Sequence, residues 1–193
     1  MTLNIYIISH PIINTLSSQI IYSIKENNKI NESIYNEMNF LLIYELLRKW
    51  IKVKNIYIKN INYIKEISIF NPSESYTLCA NLEKCYNIID HLKVLIPKLS
   101  IIHTYTYTDG NCNTKIYYNS KQGKKLKNNK IIIIEQILNN NSIINLVNEL
   151  INQYNIHITS IKIICIACNN RVLELINKKY SKLEIYTTKI INI

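Results

Sequence analysis

The sequence is short of glycine and proline. Only Gly110 and Gly123 occur among the 193 residues, together with three prolines. A Walker-type phosphate loop needs glycines at fixed spacing so that its backbone can approach a phosphate closely. Two isolated glycines exclude that loop. No linker rich in Gly, Pro or Ser interrupts the chain, which predicts a single domain over 1–193.

Long apolar runs and targeting segments are also missing. The run Ile131–Ile134 is flanked by Lys130 and Glu135, and no apolar run reaches the roughly 20 residues that a membrane span needs. The N-terminus shows neither the basic region and cleavage site of a secretory signal nor the arginines of a transit peptide. We therefore expect no membrane partner and a protein that works where it is made.

Cysteines are present without a disulfide pattern. Their odd number, spread over a mid-sized chain, predicts a reducing compartment. The five are Cys79, Cys85, Cys112, Cys165 and Cys168. The last two form a CxxC in an apolar stretch with no second pair nearby, so buried thiols are favoured over a zinc or redox site.

Positive charge dominates, with a formal net charge of +10. Such a charge favours anionic partners, including nucleic acid. The abundance of Ile, Asn, Lys and Tyr has a second explanation, because an A/T-rich genome enriches all four. A basic run at Lys121, Lys124, Lys125, Lys127 and Lys130 lacks interleaved aromatics, so it fits a solvated loop as well as an RNA contact.

Hydrophobic periodicity predicts alternating helices and strands. Helices are expected at 34–50 (capped by Asn31 or Ser33), 82–96 (ended by Pro97), 142–154 (capped by Ser142) and near 171–179. Strands are expected at 54–58, 100–107, 116–118, 130–134, 161–167 and 183–187. In the second half strands and helices alternate, which predicts a mostly parallel sheet covered on both faces.

Several short segments together resemble the uracil phosphoribosyltransferase family. Their order and spacing carry the likeness over almost the whole chain. They are Ile8–Ile13 (similar to a start with S-H-P-L-I), Met38–Arg48 (M-x-x-L-M-A-Y-E-A-x-R), Leu95–Pro97 (L-I-P), His103 with Tyr107, Asp109 and Tyr117–Tyr118 (H-x-x-x-Y-R-D and Y-Y), and Leu183–Thr188 (D-I-Y-T-A).

The resemblance implies a type I phosphoribosyltransferase fold. This is an α/β fold with a mostly parallel twisted sheet, flanking helices and a small antiparallel hairpin. We expect an N-terminal helical arm at 1–50 and a core at 76–193. The family reaction joins uracil to phosphoribosyl pyrophosphate, giving UMP and pyrophosphate.

The phosphoribosyl loop implied by the resemblance is degenerate. In the family an acidic residue holds the ribose hydroxyls, and a glycine-containing turn closes around the 5′-phosphate. Glu135 takes the acidic position, and Asn139, Asn140, Asn141 and Ser142 take the turn. Asparagine accepts left-handed geometry, but its side chain would crowd the phosphate. An ordinary strand–helix loop is the other interpretation.

The implied pyrophosphate and base positions are changed too. Glu83 stands at a family arginine, and Lys84 could compensate by a one-residue shift. Thr108 replaces a second arginine beside a retained Asp109. The family continues beyond its last strand, here marked by Tyr186, into a base-reading segment that we expect to be absent. A carboxylate facing a pyrophosphate repels it.

These changes lead us to expect a family homologue whose catalytic activity is lost or weak. Phosphoribosyl pyrophosphate or UMP would bind only if the turn survives, and Mg²⁺ would then accompany the former. A homodimer is also expected. The alternative is a non-catalytic regulatory or nucleic-acid-binding protein that uses the basic surface. The composition predicts the plastid stroma, and otherwise the cytoplasm.

Overall fold

The computed structural model describes residues 2–26, 31–96, 98–107, 113–117, 126, 128–139 and 141–192. Side chains of 82–84, 105–107 and 113–117 are not included in that description. The elements are β1 (Asn4–Ile7), α1 (Pro11–Lys25), α2 (Glu32–Trp50), β2 (Val53–Lys59), β3 (Ile64–Phe70), β4 (Tyr76–Ala80), α3 (Leu82–Leu95), β5 (Leu99–Tyr107), β6 (Asn113–Tyr117), β7 (Lys130–Leu138), α4 (Ser142–Asn152), β8 (Ile161–Asn169), α5 (Asn170–Lys179), β9 (Glu184–Thr187) and β10 (Lys189–Ile191).

One large sheet organises the described chain. Its strand order is β1-β9-β8-β7-β4-β5-β6, and β10 adds to β8 beyond the end of β9. All its pairs are parallel except β5–β6. The predicted mostly parallel sheet is therefore confirmed. In such a sheet all carboxyl ends of the parallel strands lie along one edge, where the following helices begin.

Helices cover both faces of the sheet. On one face α1, α2 and α3 pack over inward residues such as Leu78, Ile132 and Ile164. On the other face α4 and α5 pack over Ile133 and Ile163. The central strand β8 is buried along its whole length, as expected for a strand sandwiched between two helical layers.

Most predicted elements are confirmed with shifts of one or two residues. The Asn31 side chain accepts a hydrogen bond from the Ser33 amide at 3.0 Å, so Asn31 and not Ser33 caps α2. The predicted helix 142–154 ends at Asn152. Strands β1, β3, β4 and β10 and helix α1 were not predicted. Pro97 lies outside the described residues, although α3 does end at Leu95.

The predicted end of the strand at Ile134 is wrong. Strand β7 continues through Leu138, with Glu135 opposite Cys165 and Leu138 opposite Cys168 on β8. Pairing with β8 extends the strand, because Glu135, Ile137 and Leu138 each gain a neighbour in the sheet. Glu135 therefore lies within a strand and not in a loop.

A separate two-stranded hairpin follows α2. Strands β2 and β3 pair antiparallel, from Val53 opposite Phe70 to Lys59 opposite Ile64. Every residue of β2 is exposed, including Tyr57 on one face and Ile56 on the other. A lone hairpin is marginally stable in water, so this one depends on its attachment at both ends.

Cations and aromatic rings alternate in a row near the amino ends of the parallel strands. Strands β1, β9, β8, β7 and β4 contribute one member each, and α2 contributes two. In spatial order the members are Lys49, Tyr6, Tyr186, Lys162, Trp50, Lys130 and Tyr76. We refer to this set as the lysine–aromatic row.

Trp50, the last residue of α2, is the centre of the row. The Nζ atoms of Lys162 and Lys130 lie 4.7 and 5.3 Å from its ring centroid. Lys130 Nζ also donates to the Trp50 carbonyl at 2.9 Å, which places a cation at the negative end of the helix dipole. Carboxylates balance both lysines: Glu184 lies 2.7 Å from Lys162, and Glu74 lies 2.8 Å from Lys130.

We expect Trp50→Ala to lower the free energy of unfolding by about 3 kcal/mol, because the indole fills the space between two sheltered lysines. Urea unfolding followed by circular dichroism measures the change. Tyr44→Ala is the matched control, since this aromatic residue of the same helix is 53% exposed. Equal losses in the two variants would contradict the central role of Trp50.

The free energy of unfolding depends on pH through the ionisation of Glu74. Burial alone would raise its pKa, but hydrogen bonds from Lys130 and Tyr76 outweigh burial and hold the pKa below its usual value. The stabilisation is therefore present above the unfolded-state pKa and is lost as pH falls through the folded-state pKa. We expect Glu74→Gln to melt lower than the parent at neutral pH and the two melting temperatures to converge on acidification below about pH 4. Melting curves that stay parallel would contradict this.

Candidate functional site

Three helices begin at the same edge of the sheet. Helix α3 follows β4, α4 follows β7 and α5 follows β8, and these three strands are neighbours. The N-terminal end of each helix carries a partial positive charge from its aligned peptide dipoles. The carboxyl edge of β4, β7 and β8 thus has the arrangement in which α/β proteins hold anionic ligands.

The turn from β7 to α4 is built from asparagines. Asn141 caps α4 with φ of −79° and ψ of −2°, and its side chain makes no capping hydrogen bond. In the described chain only Lys98 and Asn155 have positive φ among non-glycine residues. Asn139 and Asn141 therefore do not use the left-handed geometry that asparagine tolerates. Asn140 lies outside the described residues.

Ser142 is the first residue of α4 and not its cap, which corrects the sequence-based assignment. It is buried, whereas Asn139 and Asn141 are exposed. These two asparagines lie on either side of residue 140 in the turn. A glycine at either place would leave that space open to a phosphate.

Glu135 faces the α4 and α5 side of the sheet. Ile131 and Ile133, which share its strand parity, belong to the core on that side. The carboxylate is half-buried and lies close enough to Cys165 to influence its ionisation. Because Glu135 is fixed in a paired strand, it cannot move with the asparagine turn.

A second polar cluster under the carboxyl edge was missed by the sequence analysis. Tyr35 on α2 lies near Gln136 on β7, Cys85 on α3 and Asn39, which is one turn further along its own helix. Burial raises the pKa of Tyr35. Asn39 is 1% exposed, and its amide nitrogen and oxygen have no hydrogen-bond partner within the described residues. Two polar residues spaced four apart within an apolar helical stripe were the available signal.

The other predicted positions are only partly described. Glu83 and Lys84 lie in the first turn of α3, at the carboxyl edge, but their side chains are outside the description. Thr108 and Asp109 fall outside the described residues altogether. The backbone alone places Glu83 and Lys84 beside the strand that neighbours β7.

Tyr186 is directed away from Glu135. Its hydroxyl donates to Glu184 at 3.2 Å and accepts from Lys162 at 3.3 Å, and its ring stacks on Tyr6. Burial and the nearby Glu184 carboxylate raise the pKa of Tyr186. Tyr186 packs in the core under α2, so it and Glu135 lie on opposite faces of the sheet.

Asn169 and Arg171 add polar groups that the sequence analysis did not select. The Asn169 side chain accepts a hydrogen bond from the Arg171 amide at 3.0 Å and caps α5. Arg171 is exposed in the first turn of that helix. An asparagine directly before a helical pattern was the signal for the cap.

The surroundings of the remaining candidate residues, the two CxxC cysteines, two histidines and Lys130, indicate no chemical role for them. Cys165 and Cys168 are fully buried in β8, and a hydrogen bond from one thiol to the other raises the pKa of Cys165. His91 and His157 are exposed. Lys130 is engaged in the lysine–aromatic row, so it is not part of a free basic surface. The other lysines of the run lie outside the described residues.

Within the described ranges there is neither a cluster of metal-ligating side chains nor a helix suited to crossing a membrane. No group of three or more His, Cys, Asp or Glu side chains is arranged there to hold a metal ion. Within the same ranges, none of the helices has the length and apolar content that crossing a bilayer requires.

Comparison with solved structures supports the architecture. The chain superposes on the structure of the AQ2163 protein from Aquifex aeolicus with a TM-score of 0.69, covering 97% of this chain and 88% of that one. Sequence identity is 16%, so this likeness concerns the fold alone.

Comparison at the sequence level identifies the family. Two red-algal proteins, each named uracil phosphoribosyltransferase homolog, are similar over 98% of this chain and 89% of their own length. That of Pyropia yezoensis is 27% identical and that of Porphyra purpurea is 26% identical. The family model for uracil phosphoribosyltransferase matches residues 7–192. The chain therefore belongs to the uracil phosphoribosyltransferase family.

Proposed function

We propose that this family member keeps the phosphoribosyltransferase scaffold and has lost, or nearly lost, the transfer of phosphoribose to uracil. The observation that carries the proposal is the turn between β7 and α4. Its described residues, Asn139 and Asn141, have right-handed or extended backbone and exposed carboxamide side chains. A phosphate cradle requires closely approaching backbone amides, which side chains at these positions obstruct.

Charge at the neighbouring helix supports the same proposal. Glu83 lies in the first turn of α3, beside the strand that pairs with β7. A carboxylate there opposes the favourable potential of the helix end, and it repels a pyrophosphate most strongly where water is excluded. Stabilisation of a departing pyrophosphate is the main contribution that a phosphoribosyltransferase can make. Loss of such stabilisation lowers turnover more than it lowers substrate binding.

We further propose a plastid location. Support comes from the red-algal relatives and from a composition rich in residues with A/T-rich codons. The buried reduced cysteines of the described chain are compatible with a reducing compartment. Immunogold labelling of the host cell against this chain would decide between the stroma and the cytoplasm.

Incubation of the purified protein with labelled uracil and phosphoribosyl pyrophosphate tests the proposal directly. We expect UMP at the level of a protein-free control, because the asparagine turn and Glu83 both disfavour the charged substrate. The triple variant Asn139→Thr, Asn140→Gly and Asn141→Gly should bind phosphoribosyl pyrophosphate about tenfold more tightly by calorimetry, the equivalent of one regained hydrogen bond.

A matched variant separates the turn from general effects on the fold. Asn155→Gly replaces an asparagine that already has positive φ in a different loop, so it should leave binding of phosphoribosyl pyrophosphate unchanged. UMP formation by the parent protein well above the control would overturn the proposal. Equal affinity in the triple variant and the parent would remove the turn as its cause.

The expected homodimer has a candidate surface in the β2–β3 hairpin. One face carries Ile56 opposite Ile67 and Ile58 opposite Lys65, with Ile56 and Ile58 about two-fifths exposed. Glutamate at both positions 56 and 58 should weaken self-association in sedimentation velocity, because charges oppose burial of an apolar strip. Lys59→Glu, on the opposite face of the hairpin, is the control. A parent protein that stays monomeric at all concentrations would contradict the homodimer.

A further inference from the structure

We propose that the groove between the edge strand β1 and the C-terminal half of α2 binds an extended acidic segment of a partner protein as an added strand. The groove has a volume of about 520 Å³ and is lined by residues 5–10 and by Glu45, Arg48, Lys49 and Tyr186. It lies apart from the asparagine turn, so this inference does not depend on the fate of catalysis.

The backbone of β1 is available for pairing on one side. In the described chain β1 is the first strand of the sheet and pairs with β9 alone. The Ile8 amide donates to the Thr187 carbonyl on β9 at 2.9 Å. Because backbone direction alternates along a strand, the amides and carbonyls of Ile5 and Ile7 point away from β9, towards the groove. At Leu3 the same side is closed by Asn177, which accepts the Leu3 amide at 3.0 Å.

The sequence of this edge strand provides little protection, and only its length of four residues limits pairing. Edge strands are commonly guarded by lysine, proline or a bulge, yet β1 reads Asn-Ile-Tyr-Ile. Ile7 is 60% exposed and Tyr6 is 37% exposed. The strand is nevertheless held rigidly, since Tyr6 stacks on Tyr186 at 4.7 Å and lies beneath Lys49. A rigid, unprotected edge is the form of surface to which extended peptides add.

The positive charges on the wall of the groove favour an acidic partner segment. The wall formed by α2 carries Arg48 and Lys49 against a single carboxylate, Glu45, which lies 3.0 Å from Arg48. The Arg48 side chain is 60% exposed, so it can turn to a partner. Lys49 makes no ion pair within the described ranges. A partner strand with carboxylates on the side facing α2 satisfies both cations.

A second copy of the chain fits this groove poorly. Two-fold pairing of β1 with itself would bring Arg48 and Lys49 of both copies to the same junction, in a protein whose net charge is already +10. Like charges that meet at an interface oppose association. The better match is a segment that alternates acidic residues with apolar ones, the latter covering Ile7.

Fluorescence anisotropy with a labelled peptide of alternating glutamate and valine, about six residues long, tests the proposal on the full-length protein. We expect saturable binding that weakens with added salt. The matching peptide of alternating lysine and valine should not bind. Lys49→Glu should weaken binding about tenfold or more, whereas Lys65→Glu, the same charge change on the hairpin, should not.

The backbone contact has its own matched pair of variants. Ile7→Pro removes an amide that faces the groove and leaves the β1–β9 pairing in place, so it should abolish binding. Ile7→Ala removes only an exposed side chain and should bind within about threefold of the parent. Nuclear magnetic resonance of the parent protein gives a readout that needs no variant, with shifts expected at the amides of Ile5, Ile7 and Lys49.

Three results would overturn the proposal. The first is no binding of the acidic peptide at about 1 mM. The second is equal binding of the acidic and basic peptides, which would indicate unspecific adhesion. The third is a dimer that dissociates on Ile7→Pro while the peptide fails to bind, which would make a second copy the occupant. None of these outcomes bears on UMP formation, so the peptide experiment and the activity assay are independent.

Discussion

Two sheltered lysines hold the end of α2 against the sheet, and most of the architecture on that face depends on them. Lys162 on β8 and Lys130 on β7 both contact Trp50. Their carboxylate partners, Glu184 and Glu74, keep the two positive charges from repelling each other at short range. Such buried pairs add little net stability of their own. Their value here is positional, because they fix where the helix ends.

The position of Trp50 sets three other features. The rest of α2, which runs over the carboxyl half of the sheet, brings Tyr35 and Asn39 to Gln136. The hairpin β2–β3 starts two residues beyond the helix cap at Ile51, so its direction is fixed by the same anchor. The groove beside β1 exists because Lys49, next to Trp50, is held over Tyr6. One aromatic side chain thus links the core, the hairpin and the edge strand.

The sequence predicted the fold well where hydrophobic periodicity was strong. Strand β8 and helix α2 have long apolar patterns, and both were placed within two residues. Strand β1 was missed because four residues show no clear period, and its place at the edge comes from pairing with β9, a contact 180 residues away in sequence. Strand β7 was cut short because Glu135 and Gln136 suggested a loop, whereas their neighbours in β8 keep them in the sheet.

The candidate site was harder to predict, for a physical reason. A family motif fixes which residues stand at a position but not whether the backbone there keeps the geometry that the motif needs. Asn141 could have adopted left-handed φ, and the structure has it right-handed. The lysine–aromatic row could not be read from the sequence at all, because its members come from six separate elements and meet only through the strand order.

The carboxyl edge and the amino ends of the sheet therefore differ in how freely their side chains can change. At the carboxyl edge the helix N-termini remain, since they follow from the strand order and cannot be lost without losing the fold. The exposed side chains of Asn139 and Asn141 at the turn can vary there at little cost to the scaffold. At the amino ends the side chains are interlocked, and a change at Trp50 or Lys162 disturbs packing on several strands. Selection for a folded protein alone would therefore constrain the second set more strictly than the first.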